Sequence, residues 1–193
     1  MRYYFFMEQL KNIYNQSFID KLSSSIKNIH PSFQKKQFQQ LIFQPDWESL
    51  ALKERMHRIT KSLYETLPKD YDQALAILHP IALQFTGLSA MIFPDYVEQY
   101  GLNHWDKSIT ALETFTTYST SEFAVRPFLL LNQERMLQQM MKWSTSENEH
   151  VRRLASEGCR PRLPWAQSIP SLKQNPLPII SILEQLKADE SLY

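Results

Sequence analysis

The sequence predicts an all-α protein whose helices stack as antiparallel pairs. Only three of the 193 residues are glycine, which leaves few positions that interrupt a helix. Apolar residues recur at steps of three and four along most of the chain, which is the period of one helix face. No segment shows a convincing strand pattern. Short connections between consecutive helices favour antiparallel neighbours, so the sequence indicates helix packing and no sheet.

Prolines that interrupt helical segments divide the first half of the chain into predicted helices. They lie at Pro31, Pro45 and Pro68, where a helix ends or a new one begins. The helices expected between them are 17–29, 32–43, 49–67 and 71–85. A further helix is predicted after Asn103, with Trp105 on its apolar side.

A short string that occurs twice predicts a repeat architecture in the second half. Residues 118–122 read Tyr-Ser-Thr-Ser-Glu and residues 143–147 read Trp-Ser-Thr-Ser-Glu, and a Val-Arg pair follows each string. The apolar stripe of 137, 140 and 143 recurs at 180, 183 and 186, an offset of 43 residues. This offset is typical of HEAT-type repeats and predicts a HEAT-like helical-repeat superhelix, an α-solenoid of antiparallel helix pairs. Coincidental similarity between Leu- and Ser-rich helices is the alternative.

The same register predicts how the chain is organised as a domain. Residue 193 falls where the second helix of another repeat would begin. We therefore expect a single HEAT-like domain over residues 1–193 that lacks its C-terminal repeat or repeats. A final helix near 178–187 is expected to expose apolar surface, because a repeat cannot bury its stripe alone. We also expect the arginine-rich helix described below to lie on the concave face of a right-handed solenoid.

Composition excludes several classes of function. The 21 basic and 20 acidic residues give a net charge of +1, so nucleic-acid binding would need a local basic patch. The three glycines lie far apart and form no phosphate-binding loop. A lone cysteine, Cys159, excludes a multi-cysteine metal site, and the histidines show no metal-ligand spacing. Cys159 is expected to be a small buried side chain. The apolar opening, residues 1–7, is too short for a signal peptide or a membrane span, so we expect a cytoplasmic protein without membrane contact.

Arginines gather near the end of the chain and mark the segment that could carry chemistry. They are Arg152, Arg153, Arg160 and Arg162. If Asn148 caps a helix that ends at Gly158, its apolar residues face the core while Arg153 and Glu157 lie one turn apart. The loop that follows is stiffened by two prolines and presents two guanidinium groups beside Trp165. This combination suits a phosphate backbone next to a flat, cationic group.

Each of these residues also has an ordinary structural explanation. Arg153 and Glu157 fit a solvated ion pair worth a few tenths of a kcal/mol. Glu122 and Arg126 could form another such pair. Trp165 could be a packed loop anchor. Physical reasoning on the residues alone therefore supports a helical-repeat protein with an arginine-rich edge that bears a tryptophan.

Three strings of residues carry a resemblance to a known family. Residues 121–128 read Ser-Glu-Phe-Ala-Val-Arg-Pro-Phe. Residues 148–158 read Asn-Glu-His-Val-Arg-Arg-Leu-Ala-Ser-Glu-Gly, and residues 160–165 read Arg-Pro-Arg-Leu-Pro-Trp. In this order they resemble the signature strings of bacterial DNA alkylation repair enzymes of the AlkC type, and weaker similarity extends back to about Leu10. Family members continue beyond the point that corresponds to Tyr193.

The resemblance implies a DNA glycosylase that hydrolyses the N-glycosidic bond of cationic alkylated bases, such as 3-methyladenine, in double-stranded DNA. It implies no metal or cofactor, and we expect a monomer. Departure of the cationic base as a neutral molecule leaves positive charge on the sugar, which a carboxylate stabilises. Glu157 and Glu122 are the carboxylates at motif positions, and Trp165 would attract a cationic base. The residues expected to hold phosphates are Arg152, Arg153, Arg160 and Arg162.

A non-catalytic helical-repeat module that binds nucleic acid or a protein partner is the alternative. The glycosylase interpretation expects Glu122, Glu157 and Trp165 to converge on one surface. The alternative expects at least one carboxylate to point outward or to be held in an ion pair.

Overall fold

The structure is a computed structural model that describes residues 9–191. This part of the chain is helical and contains no strand, which confirms the predicted all-α class. The helices form two compact units, Met1–Ile81 and Ala82–Tyr193. Each unit buries an apolar core of its own, and a single domain over the whole chain stays a prediction. The apolar opening at residues 1–7 lies outside the described residues.

Among its described residues, from 9 onward, the first unit contains four helices, the last of which ends one residue into the second unit. They are α1 (Gln16–Ile29), α2 (Lys35–Ile42), α3 (Leu52–Thr66) and α4 (Tyr71–Ala82). The side chain of Asn15 caps α1 by accepting the N–H of Phe18 at 3.0 Å. Helix α2 packs against α1 and α3, and Ile19, Phe38 and Ile59 are buried in this core.

These four helices match the predicted segments to within three residues at each end: α1 begins one residue earlier than predicted, and the other three are shorter. The segment before α2 forms a turn in which the N–H of Phe33 donates to the carbonyl of His30 at 2.9 Å. The segment before α3 contains a short 3₁₀ turn, Trp47–Ser49. Helix α4 ends three residues earlier than expected, because the chain turns there and the N–H of Phe85 donates to the carbonyl of Ala82 at 3.0 Å.

The second unit contains seven helices among its described residues, and it holds every predicted site residue. They are α5 (Ile92–Tyr100), α6 (Trp105–Thr116), α7 (Val125–Leu131), α8 (Gln133–Trp143), α9 (Glu149–Gly158), α10 (Pro170–Gln174) and α11 (Leu177–Leu186). Consecutive helices pack as pairs, α5 on α6, α7 on α8 and α8 on α9, while α6 also contacts α9. Helix α11 packs on α8 and α9. This pairing agrees with the predicted helical-repeat fold.

Gly158, the last residue of α9, allows this helix to approach α7 and α8 closely. A Cβ atom at this position would lie 3.0 Å from Cγ2 of Val125 and 3.0 Å from Cε of Met140. Both neighbours are buried, so they have little room to move. The absence of a side chain at Gly158 therefore sets the distance between the end of α9 and the start of α7.

Helix α11 exposes apolar surface, as its predicted stripe implied. Ile180 and Leu183 are exposed, while Ile179 and Ile182 on the opposite side are buried against the unit. No helix within residues 9–191 is long and apolar enough to cross a bilayer.

Candidate functional site

Helix α9 and the loop that follows it, residues 159–167, form the frame of the candidate site. The side chain of Asn148 caps α9 by accepting the N–H of His150 at 2.9 Å, which confirms the predicted helix start. Val151 and Leu154 are buried, as the apolar spacing predicted. Arg152, Arg153 and Glu157, on the opposite side of α9, are partly exposed at the surface.

Arg153 forms an ion pair with Glu122, which lies in the segment between α6 and α7. The alternative in which Arg153 pairs with Glu157 one turn later stays a prediction. Because α9 packs on α6, the Arg153 side chain lies beside the segment that follows α6. Glu122 is only 5% exposed, and its backbone N–H donates to Oγ1 of Thr120 at 3.3 Å. A long-range ion pair therefore fixes Glu122 against α9.

Glu157 pairs with Arg160, the second residue of the loop. Nη1 of Arg160 lies 2.6 Å from Oε2 of Glu157, and the two side chains are 48% and 32% exposed. Solvent therefore reaches this pair, unlike the pair of Glu122. The carboxylate of Glu157 is accessible to a ligand at this surface.

Burial raises the pKa of the Glu122 carboxyl above its usual range. The charge of Arg153 and a hydrogen bond from Thr120 lower this pKa, whereas the nearby charge of Glu157 raises it. The effect of burial is the largest of these, so the net shift of the pKa is upward. The effect of Glu157 on Glu122 shows that the two carboxylates, which come from separate elements, lie within electrostatic reach of each other.

Arg126, at the start of α7, is fully buried and contacts the loop rather than Glu122. Its guanidinium donates to backbone carbonyls of Gly158 at 3.2 Å and Arg160 at 2.9 Å. The predicted alternative of a pair between Glu122 and Arg126 is therefore wrong, because the Arg126 side chain turns toward the end of α9. A signal for this role was present in the sequence: Arg126 lies in a short helix whose other early residues, including Val125 and Phe128, are apolar.

Trp165 is 66% exposed, so its interpretation as a packed loop anchor is wrong. Its backbone adopts a left-handed conformation, with φ of 64°, which a large side chain rarely takes up. The next residue, Ala166, donates its N–H to the carbonyl of Leu163 at 3.1 Å. The loop therefore holds a large aromatic side chain at the surface in a conformation of higher energy.

The remaining two arginines have different surroundings. Arg152 donates to both carboxylate oxygens of Asp189, at 2.6 and 2.9 Å, and to the carbonyls of Ser146 and Glu147, both at 3.0 Å. These bonds give Arg152 an anchoring role, and phosphate binding by this residue stays a prediction. Arg162 is exposed on the loop. Phosphate contact by Arg162 stays a prediction.

The described residues contain no group of three or more His, Cys, Asp or Glu side chains that could hold a metal ion. Cys159 is fully buried at the end of α9, as expected, and burial raises the pKa of its thiol to about 12. The thiol therefore stays protonated near neutral pH.

The geometry brings part of the predicted site together. Glu122 and Glu157 are close enough to influence each other, and Arg153 and Arg160 accompany them. Both carboxylates are held in ion pairs, which is the arrangement expected of the non-catalytic alternative.

Comparison with known proteins relates this arrangement to a family. No protein-family model matches the chain. The uncharacterized protein YhaZ of Bacillus subtilis (strain 168) is 60% identical over 187 residues, which cover 97% of this chain and 52% of YhaZ. The structure of Pseudomonas fluorescens alkylpurine DNA glycosylase AlkC, bound to DNA containing an abasic site analog, matches with a TM-score of 0.92 and 40% identity. That match covers 96% of this chain and 52% of AlkC.

The chain therefore spans about half the length of both relatives. Within that span the similarity covers nearly every residue, in sequence as well as in backbone structure. The predicted resemblance is confirmed: over the half of its length that this chain spans, the alkylpurine DNA glycosylase AlkC is similar to it in sequence and in fold.

Proposed function

We propose that this chain carries the base-excision site of a DNA glycosylase that releases cationic N-alkylated bases, such as 3-methyladenine, from double-stranded DNA. The observation that carries this proposal is that Arg153 pairs with Glu122 and lies one turn before Glu157 on α9, which brings the two carboxylates to the same part of the surface. The match to an alkylpurine DNA glycosylase bound to DNA supports it.

The chemistry needs negative charge near the sugar rather than an acid. An alkylated purine such as 3-methyladenine is positively charged and departs as a neutral base, so positive charge develops on the sugar as the bond breaks. A preorganised carboxylate stabilises that charge, and water then adds at the anomeric carbon. The enzyme needs neither a metal nor an organic cofactor for this step.

Glu157 is the carboxylate that we place against the sugar. Its side chain is 32% exposed and is paired with Arg160, which a DNA phosphate could draw away from it. Glu122 is buried deeper and pairs with Arg153, whose charge lowers the pKa of Glu122 against the effect of burial. In this arrangement Glu122 adds negative potential behind Glu157 and keeps Arg153 in place.

The exposed indole of Trp165 gives the site a means to prefer damaged bases. The face of an indole attracts a cationic ring more strongly than a neutral one. Its exposure leaves this face available to a nucleotide at the surface. Arg160 and Arg162, on the same loop, would contact the phosphates on either side of the lesion.

A non-catalytic DNA-binding module is the second candidate. The ion pairs of Glu122 with Arg153 and of Glu157 with Arg160 favour it, because they can stabilise the fold without any chemistry. Both candidates predict DNA binding, and they differ in whether a base is released. For the glycosylase we further propose a monomer that acts in the cytoplasm. The free, buried thiol of Cys159 is compatible with that reducing compartment.

Base release separates the two candidates. A methylated duplex is incubated with the chain in excess, and free 3-methyladenine is measured by chromatography beside the abasic sites left in the DNA. We expect both products to form faster than in a protein-free control. Binding of the duplex by correctly folded protein without base release would establish the non-catalytic module instead.

A further inference from the structure

Arg126 is a fully buried arginine whose guanidinium is surrounded by backbone carbonyls. Nη1 donates to the carbonyl of Gly158 at 3.2 Å, and Nη2 donates to the carbonyls of Arg160 at 2.9 Å and Pro161 at 3.3 Å. Nε donates to the carbonyl of Gln167. One side chain therefore bonds the end of α9 and both ends of the loop 159–167.

The location explains why a cation is stable there. The carbonyls in the last turn of a helix lack partners within the helix and carry partial negative charge. Gly158 is the last residue of α9, and its lack of a side chain lets α7 come close enough for Arg126 to reach it. Burial lowers the pKa of Arg126, but a guanidinium stays charged in proteins.

The planar guanidinium is suited to binding several backbone carbonyls at once. It offers five N–H donors in a fixed fork, so it can bind carbonyls in several directions at once. Residues 160 and 161 lie at one end of the loop and residue 167 at the other, and the bonds of Arg126 hold these ends together. A backbone hydrogen bond also joins the two ends of this segment: the N–H of Ile169 donates to the carbonyl of Pro161 at 3.0 Å.

Trp165 lies inside the segment that these bonds close. Its left-handed backbone, with φ of 64°, persists only where the surrounding structure enforces it. The hydrogen bonds of Arg126 at both ends of the loop restrain the backbone on either side of this exposed residue.

We infer that Arg126 is a positioning residue, which acts on base excision by fixing the loop 159–167 and thereby the indole of Trp165. This inference rests on the proposed function, since it assigns Arg126 a part in that reaction without contact to the substrate. A lysine cannot replace it, because one ammonium group cannot reach carbonyls at both ends of the loop in the same plane.

The first test measures the loop itself and is independent of activity. Hydrogen–deuterium exchange of the amides in 159–168 is compared between the parent, Arg126→Lys and the control Arg135→Lys, which alters an exposed arginine paired with Asp106. We expect exchange at least tenfold faster in this segment for Arg126→Lys, with α1 to α6 unchanged, and no change for the control. Unchanged exchange in 159–168 would overturn the inference, whether or not the protein releases bases.

The second test asks whether Arg126 acts through Trp165. Single-turnover release of 3-methyladenine is measured for Arg126→Lys, Trp165→Ala and the double variant. We expect each single variant to lose at least tenfold in rate, and the double variant to lie within threefold of Trp165→Ala. Losses that multiply would overturn the inference, because Arg126 would then act elsewhere. A parent that releases no base refutes the proposed function and leaves the exchange experiment to decide the role of Arg126.

Folding of the variants is checked by circular dichroism and thermal unfolding. If Arg126→Lys does not fold, Arg126→Gln takes its place in both tests, because it keeps hydrogen-bonding capacity without a buried charge. Failure of both variants to fold would overturn the inference, since Arg126 would then support the core of the unit and not the loop.

Discussion

Replacing Glu157 by glutamine separates a catalytic carboxylate from a structural one. The change keeps the shape and the hydrogen-bonding capacity of the side chain and removes its negative charge. If this charge stabilises the sugar cation, base release falls at least a hundredfold, which corresponds to about 2.7 kcal/mol in the activation barrier. Duplex affinity stays the same or rises slightly, because a group that repels phosphates is gone.

Glu157→Gln should cost little stability, because the ion pair that it removes, between Glu157 and Arg160, is exposed to solvent. Glu157 and Arg160 are 32% and 48% exposed, and ion pairs in such surroundings are worth at most about 1 kcal/mol. For a chain of this length that amounts to about 2–4 °C in Tm. A large loss of activity with a small change in Tm is therefore the expected combination.

The assay is single-turnover release of 3-methyladenine at saturating protein, with Tm and duplex affinity measured on the same preparations. Glu184→Gln is a matched control, because Glu184 forms a pair of the same i,i+3 spacing with Lys187 on the exposed side of α11. The control should keep the parent rate. A rate for Glu157→Gln within threefold of the parent, with matched folding, would refute the catalytic assignment and leave Glu122 as the candidate.

Four further predictions concern the neighbours of this carboxylate. Because burial raises the pKa of Glu122 above its unfolded value, its contribution to stability is complete below that unfolded value and is lost as pH rises through the folded one. Glu122→Gln should therefore gain Tm relative to the parent between pH 4 and pH 7, and parallel Tm curves for the two proteins would contradict this. Arg162→Ala should reduce the slope of log Kd against log salt by about one ion, because Arg162 is exposed on the loop. Arg152→Ala should lower Tm, because Arg152 is engaged with Asp189, and an unchanged Tm would contradict this anchoring role. Gly158→Ala should destabilise the fold by about 1–3 kcal/mol, because the new Cβ would lie 3.0 Å from buried neighbours, and urea unfolding with an unchanged midpoint would contradict that packing argument.

The sequence was sufficient for features that depend on local spacing. The cap at Asn148 and the buried side of α9 follow from residues within a few turns of one another, and the structure confirms both. Helix α5 was missed because Ile92–Val97 is buried on every side, so no amphipathic stripe marks it.

Ion-pair partners could not be predicted in the same way, since they depend on which helices pack together. Arg153 had an acceptable partner one turn away in Glu157, yet the packing of α9 on α6 gave it Glu122. Arg126 was considered only as a partner for Glu122, because carbonyls of a distant loop cannot be identified as acceptors from residue types. Family resemblance identified the two carboxylates, and the structure added how they are held.

The burial of Cys159 has a consequence for a protein that meets alkylating agents. Such agents attack nucleophiles, and the reactive form of cysteine is the thiolate. With a pKa of about 12, only about one Cys159 side chain in 10⁵ is ionised at pH 7. The thiol is also enclosed at the end of α9, where its proton is directed to the carbonyl of Ser156 at 3.1 Å. The one cysteine of the chain is thus shielded from the reagents whose damage to DNA the proposed enzyme would repair.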